Sequence, residues 1–218
     1  MAKLKTLLFV LITLHTITAK CQHNSSTYKN QVKVSPFRLL DPVHSGIEIS
    51  YERKHAANFS AQFSATYFIK NNFAHDYEDY KGYRFGIEEK YFFPYRIRNI
   101  YLSAEAVYQK NSFNTIAAFD HDSTATTRFF TYSDSIKIKR RAAIINVRTG
   151  RQFKAGRFVA DISIGIGVRF RKVVHEGKIY PGDKLPVPRH PNIPYEANRE
   201  KNDAAFNLPM NIRIGFMF

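Results

Sequence analysis

The stretch that decides the fold is Asn207–Phe218, NLPMNIRIGFMF, in which large apolar residues occupy alternate positions. Successive side chains of a β-strand point to opposite sides, so one face of this strand is apolar and the other is polar. The apolar face consists of Leu208, Met210, Ile212, Ile214, Phe216 and Phe218. An exposed strand this apolar would aggregate in water, whereas in a membrane barrel such a face contacts lipid. The stretch therefore favours a transmembrane β-strand.

The same alternation recurs upstream and predicts eight strands in all. The other seven are expected at 31–39, 46–53, 58–68, 82–92, 100–108, 136–153 and 158–170. Short connections at 54–57, 93–99 and 154–157 alternate with long ones at 70–81, 109–135 and 171–205. Short periplasmic turns and long external loops are typical of outer-membrane barrels. The predicted fold is all-β, an antiparallel transmembrane β-barrel of eight strands spanning residues 31–218, after a cleaved signal peptide.

The N-terminus has the pattern of a secretory signal peptide over residues 1–21. A basic start at Met1–Lys5 precedes an apolar run at Leu7–Ala19, which is too short to span a bilayer as a helix. Small residues at Ala19 and Cys21 predict cleavage after Cys21. The alternative is a lipid-modified Cys21, although Lys20 is a poor neighbour for that modification. Residues 22–30 are expected to form a polar leader, and the mature chain would contain no cysteine and no disulfide.

The chain is strongly basic, with a formal net charge of +15 that falls to +12 when Lys3, Lys5 and Lys20 are removed with the signal peptide. Such a charge predicts attraction to polyanions. Because a secreted protein does not meet nucleic acid, we expect outer-membrane lipid and the phosphates of lipopolysaccharide as partners. Candidate phosphate contacts are Lys137, Lys139, Arg140, Arg141, Arg171 and Lys172, with Lys178, Lys184 and Arg189 in the following loop. The alternative is that these residues belong to ordinary solvated loops.

The polar faces of the predicted strands carry charges of both signs. They include Glu48, Glu52, Arg84, Glu88, Lys90, Glu105, Arg148, Asp161, Arg169 and Arg213. An eight-stranded barrel has room inside only for side chains, and buried charges must be paired. We therefore expect a lumen plugged by ion pairs, the alternative being a path for protons or ions. A soluble lipocalin-like barrel also alternates, but its apolar side faces inward.

Three segments, VKVSPFRLL (32–40), GIEISYERK (46–54) and GYRFGIEEKYFFPY (82–95), resemble a group of small bacterial outer-membrane proteins known only as a domain of unknown function. The resemblance implies a single barrel of eight to ten strands with no established activity. It also implies that the barrel-assembly machinery reads the terminal aromatic residue. The expected assembly signal is Ile212, Ile214, Phe216 and Phe218.

Two groups of residues could carry chemistry. His44–Ser45 resembles the His and Ser of outer-membrane lipid deacylases, but adjacent strand residues point opposite ways. A divalent metal could bind between two acidic loops, which hold His75, Asp76, Glu78, Asp79 and Asp120–His121–Asp122. Turn chemistry around Asp41 explains the first group better, and solvated loop residues explain the second. We therefore expect no catalytic residue, metal or cofactor. The predicted function is a structural or surface-interaction role in the outer membrane, the alternative being a membrane-embedded lipid-modifying enzyme.

Overall fold

The computed structural model describes residues 28–38, 45–70, 78–94, 99–123, 128–180, 183 and 199–218, without the side chains of 37 and 120–131. The predicted signal peptide, His44, His75, Asp76, Lys184 and Arg189 lie outside the described residues. So do the side chains of Asp120, His121 and Asp122.

The described residues form one antiparallel sheet that closes on itself as a ring, in agreement with the predicted all-β class. Its strands are β1 (Asn30–Val34), β2 (Gly46–Lys54), β3 (Phe59–Phe68), β4 (Glu78–Phe92), β5 (Ile100–Ser123), β6 (Arg128–Ala155), β7 (Phe158–Glu176), β8 (Lys201–Asn207) and β9 (Met210–Met217). Each strand pairs with its neighbour in the chain from β1 to β7, and β7 pairs with β8 and β9. Pairing of β1 with β9 closes the ring.

β8 and β9 are two segments of one strand, which makes the ring eight-stranded. Asn207 lies opposite Gly167 on β7, and Met210 lies opposite Ile164, so the register is the same on both sides of the interruption. The cause is Pro209, whose carbonyl accepts a hydrogen bond from Gly165 N at 2.9 Å but which has no N–H to return. From the sequence alone, Pro209 would be expected near the outer end of the last strand; it lies opposite the middle of β7.

The strands are strongly staggered around the ring. The register partners of Val32 can be traced around the ring in two directions. The path through β2, β3, β4, β5 and β6 arrives at Val168 on β7, whereas the path through β9 arrives at Phe158. These two positions are ten residues apart on the same strand. For eight strands, this stagger corresponds to a tilt of roughly 40° and an interior just wide enough for side chains.

The sequence prediction of a long loop at 109–135 is wrong. β5 and β6 pair without interruption from Ile100–Arg151 out to Ser123–Arg128, so the hairpin extends far beyond the ends of β1 to β3. The Ser, Thr and Asp content of this segment resembles that of a loop. However, Phe113, Ile136 and Ile138 alternate with polar residues and are fully buried on its inner face. Cross-strand packing of these side chains outweighs the composition.

Other boundaries also differ from the prediction, including the start of β4, which begins at Glu78 rather than at residue 82. β7 continues to Glu176 and the last strand begins at Lys201, so the seventh connection is 177–200 rather than 171–205. β1 ends at Val34, and Pro36–Arg38 forms a 3-10 turn in place of the end of the predicted first strand. Proline at a strand end is expected because it cannot donate to the ladder.

The ring has an apolar outer face and a polar inner face. On β7, for example, Ile164 is 57% exposed and Phe158 is 69% exposed, whereas Asp161 and Ser163 between them are buried. No helix among the described residues is long and apolar enough to span a membrane.

Candidate functional site: the charged interior of the ring

Four charged side chains meet near the turn end of the ring, and we call them the lysine box: Lys33, Glu52, Lys90 and Asp161. The Lys33 ammonium lies 2.6 Å from Glu52 Oε2 and 2.7 Å from Asp161 Oδ2. The Lys90 ammonium lies 2.8 Å and 2.7 Å from the same two oxygens. All four side chains are fully buried, and they come from β1, β2, β4 and β7. The box therefore ties together strands far apart in the chain.

Neutral side chains supply further hydrogen bonds to the charged groups of the lysine box. Tyr101 Oη donates to Asp161 Oδ1 at 2.6 Å, and Gln152 Nε2 donates to both Glu52 oxygens at 3.0 Å. Gln62 Oε1 accepts from Lys90 at 2.9 Å, and Ser60 Oγ donates to Glu52 Oε1 at 2.9 Å. Hydrogen bonds of this kind are what allow ionised groups to remain buried.

A second group of charges lies further along the interior, and we call it the arginine layer: Glu48, Glu88, Glu105, Arg148 and Arg213. Arg213 donates from Nε to Glu48 Oε1 at 2.9 Å and from Nη1 to Glu88 Oε2 at 3.2 Å. Arg148 Nη1 donates to Glu105 Oε1 at 3.0 Å. The Arg213 contacts join β9 to β2 and β4, and the Arg148 contact joins β6 to β5. The arginine layer therefore also links the last strand to strands near the start of the chain.

Glycines on the inner face make room for these large polar side chains. A Cβ at Gly165 would lie 2.7 Å from Arg148 Cγ and 2.3 Å from a backbone oxygen. A Cβ at Gly215 would lie 2.7 Å from Lys33 Cγ and 2.2 Å from a backbone oxygen. Both positions require glycine because the charged side chains pass directly over the neighbouring backbone.

The side chains of the lysine box and the arginine layer are tightly packed in the interior of the ring. Their nine side chains are all at most 5% exposed, and each carboxylate has at least one cationic partner. A polar pocket of about 190 Å³ opens at the turn end, and its lining reaches Glu52 and Gln152 but no member of the arginine layer. The arrangement is suited to holding eight strands together rather than to moving protons or ions.

An apolar cluster lies at the other end of the interior, and we call it the apolar cap: Phe113, Phe119, Ile136, Ile138 and Val173. It lies inside the extended part of β5, β6 and β7, where the inner-facing residues change from polar to apolar. All five side chains are at most 4% exposed. The cap therefore closes the interior on the loop side, as the lysine box does on the turn side.

The structure brings together eight of the ten residues predicted for the lumen. They are Glu48, Glu52, Glu88, Lys90, Glu105, Arg148, Asp161 and Arg213. Arg84 is also buried inside, but it forms no ion pair with the described residues. Arg169 lies higher on β7 and donates to Asn207 Oδ1 at 2.5 Å.

Sequence reasoning missed Lys33 and the neutral partners Tyr101 and Gln152. Lys33 could have been found, because it alternates with Val32 and Val34 and must face away from them. The same alternation could have found Tyr101, which lies between Ile100 and Leu102. It could also have found Gln152, which shares a strand face with Arg148.

The six predicted phosphate contacts do not share one face. Lys137, Lys139, Arg141 and Lys172 lie on the outer wall. Arg140 is buried inside with its guanidinium 4.8 Å from the centre of the Phe113 ring, because adjacent strand residues point opposite ways. Arg171 also lies on the inner side, where it forms two hydrogen bonds to Asp203 at 3.0 and 3.1 Å.

The predicted assembly residues lie on the outer face of β9 and just beyond it. Phe216 packs edge-on against Phe158 of β7, with 5.9 Å between the ring centres. The backbone of Phe218 exchanges two hydrogen bonds with Asn30 of β1, at 2.9 and 3.1 Å. As expected, the last strand pairs with the first.

The two groups considered for chemistry from the sequence lie partly outside the described residues. Among the described residues, no three His, Cys, Asp or Glu side chains are grouped in a way that could hold a metal ion. Ser45, the described half of the His44–Ser45 pair, is buried at the start of β2.

Comparison of the chain with protein-family models, with curated proteins and with solved structures found no match.

Proposed function

We propose that this chain is an integral outer-membrane β-barrel with a closed lumen and a structural or surface-interaction role. The observation that carries the proposal is the inverted polarity of the ring. Ion pairs fill the interior, while the outer wall exposes large apolar side chains on every strand from β1 to β9, chiefly isoleucine, valine, phenylalanine and tyrosine. In water this arrangement would expose an apolar surface far larger than soluble proteins tolerate, whereas in a bilayer it is the expected one.

The height of the exposed apolar belt matches the hydrocarbon core. Phe158 and Phe170 mark its two ends on β7 and are twelve residues apart. At about 3.3 Å per residue and a tilt of roughly 40°, this span is about 30 Å. Aromatic side chains also lie on the outer wall of β4, with Tyr83 towards the loop side and Tyr91 towards the turn side. Aromatic girdles of this kind lie at the two membrane interfaces.

The direction of the chain supports a particular orientation. The strand ends joined by 55–58, 93–99 and 156–157 lie at one end of the ring, together with the residues at positions 28 and 218. At the other end lie the protruding β5–β6 hairpin and the strand ends joined by the longer connections 35–45, 69–77 and 177–200. In outer-membrane barrels the end with short turns is periplasmic. Together with the signal-peptide pattern of residues 1–21, this supports export, insertion by the barrel-assembly machinery and an outer-membrane location.

The alternatives fit the structure less well. A lipocalin-like carrier needs an apolar cavity in its interior, but the lysine box and the arginine layer occupy that space. A lipid-modifying enzyme needs a nucleophile or base that reaches the membrane surface, and Ser45, the described member of the His44–Ser45 pair, is buried.

A gel-mobility experiment tests the proposal directly. The purified chain, folded in detergent, is run in SDS with and without boiling. A closed membrane barrel resists SDS, so we expect the unboiled and boiled samples to migrate differently. Identical mobility, or recovery of the native protein in the soluble periplasmic fraction, would contradict the proposal.

A pair of neighbouring substitutions tests which face meets lipid. Ile164→Asp places a charge on the exposed wall, whereas Ser163→Asp places the same charge inside, beside Arg148. A basic residue facing the bilayer centre costs about 2–4 kcal/mol and an acid somewhat less, so only Ile164→Asp should sharply lower the heat-modifiable fraction. Equal folded yields of the two variants would show that the faces are assigned incorrectly.

A further inference from the structure

Three basic residues lie side by side on the outer wall, and we call them the basic row: Lys110 on β5, Arg141 on β6 and Lys172 on β7. Lys110 is the register partner of Arg141, and Arg141 is the register partner of Lys172. Directly opposed residues of an antiparallel pair have Cβ atoms about 5 Å apart. Three like charges at this spacing repel one another, so the arrangement is unfavourable without an anion.

No acid compensates the basic row within the described part of the chain. Tyr83 on β4 and Asn202 on β8 continue the row on either side, and both are uncharged. Two residues before Arg141 on β6, and further from the apolar belt, Lys139 does have an acid partner. It forms an ion pair with Glu176 at 2.5 Å. The three adjacent charges of the basic row, by contrast, have no acid partner among the described residues.

The basic row borders the upper edge of the apolar belt. Lys172 follows Phe170 by two positions on β7, and Lys110 follows Tyr108 by two positions on β5. Phe170 and Tyr108 are both exposed, at 51% and 44%. A molecule that carries acyl chains and a phosphate could place its chains against these rings and its phosphate against the row.

We propose that the basic row binds the phosphate groups of lipopolysaccharide in the outer leaflet. The inference rests on the proposed membrane location and adds a specific lipid partner to it. Lys and Arg are the usual partners of phosphate, and Arg141 can hold two phosphate oxygens at once. Lys110 is part of this site although it was not among the predicted contacts, while Arg140 and Arg171 are excluded because they lie inside the ring.

The test compares two triple variants that lose the same charge. Lys110→Gln/Arg141→Gln/Lys172→Gln removes the basic row. The control Lys29→Gln/Arg53→Gln/Arg151→Gln removes three exposed cations near the turn end. Each protein is folded in neutral detergent, checked for heat modifiability, and titrated with lipopolysaccharide while its thermal unfolding midpoint is measured.

We expect lipopolysaccharide to stabilise the wild type and the control, and to bind the row variant far more weakly. A basic side chain near an anionic lipid surface contributes about 1 kcal/mol, so the loss should be roughly fivefold per charge and on the order of 100-fold for three. Stabilisation should also fall when the lipopolysaccharide is dephosphorylated. Inorganic phosphate at equal concentration should give no shift.

Three results would overturn the inference: equal binding by the row variant and the wild type, equal weakening in the control, or equal stabilisation by inorganic phosphate. If any of these occurs in proteins that remain heat-modifiable, the membrane proposal stands and only the lipid site fails. If the wild type itself shows no heat-modifiable form, the membrane proposal fails first. A single Lys172→Gln variant, which changes one exposed side chain, provides the same comparison should the triple variant fold poorly.

Discussion

Lys33 lies between Val32 and Val34, whose side chains face outward, and its own ammonium group lies inside the ring. There it contacts two carboxylates, those of Glu52 and Asp161, at 2.6 and 2.7 Å. Burial of an ammonium group is costly unless its charge is paired and hydrogen-bonded. We therefore expect that β1 can occupy this position in the ring only when the Lys33 ammonium is paired with these two carboxylates.

Replacing Lys33 by methionine should strongly destabilise the barrel. The substitution keeps the length of the side chain but leaves Glu52 and Asp161 to share Lys90 alone. Removing one partner of a buried ionic network typically costs about 3–5 kcal/mol. Urea unfolding of the detergent-folded protein should show a clear loss of the free energy of unfolding.

Lys29→Met is the matched control for Lys33→Met, because it removes an exposed lysine four positions earlier. An exposed substitution of this kind should change the free energy of unfolding by less than about 0.5 kcal/mol. Equal effects of the two substitutions would mean that the lysine box does not stabilise the fold.

At the scale of the element, β9 closes the ring and also carries the residues of the proposed assembly signal, and the sequence pattern does not separate these two roles. Its outer face carries Ile212, Ile214 and Phe216, while its backbone pairs with β1 on one side and β7 on the other. An open edge in hydrocarbon would leave backbone groups without partners, at a cost of several kcal/mol each. Ring closure and the proposed assembly signal would both depend on the same residues.

Two variants of Phe218 separate these roles. Deleting Phe218 removes its ring and also both hydrogen bonds to Asn30, whereas Phe218→Ala removes only the ring. If the ring is the assembly signal, both variants should accumulate in the periplasm with a reduced fraction in the outer membrane. Normal assembly of Phe218→Ala together with poor assembly of the deletion would assign the effect to ring closure by the backbone.

The hairpin of β5 and β6 shows the limit of composition as a guide to an element. Residues 109–135 contain many Ser, Thr and Asp residues, and by composition they resemble a loop. Phe113, Ile136 and Ile138 become a buried face only because β7 supplies Val173 to the same cluster. A contact between segments more than thirty residues apart is not visible in local periodicity.

At the scale of the whole molecule, the stagger of ten residues and the count of eight strands set the width of the interior. That interior contains two layers of ion pairs and ends in the apolar cap on the loop side. The wild-type protein, inserted into planar lipid bilayers, should therefore show no channel conductance. Discrete current steps from verified, heat-modifiable protein would contradict this expectation and favour an ion path.

The sequence by itself determined the all-β class, most strand positions on the ring and the polarity of each face, because strand periodicity is a local property of the chain. It also placed Glu48, Glu88 and Arg213 on inner faces. Only the tertiary structure decided which charges meet, since the pairs depend on register and stagger around a closed ring. The same reason explains why Lys110 joins Arg141 and Lys172 in one row, while Arg140, next to Arg141 in the chain, points into the interior.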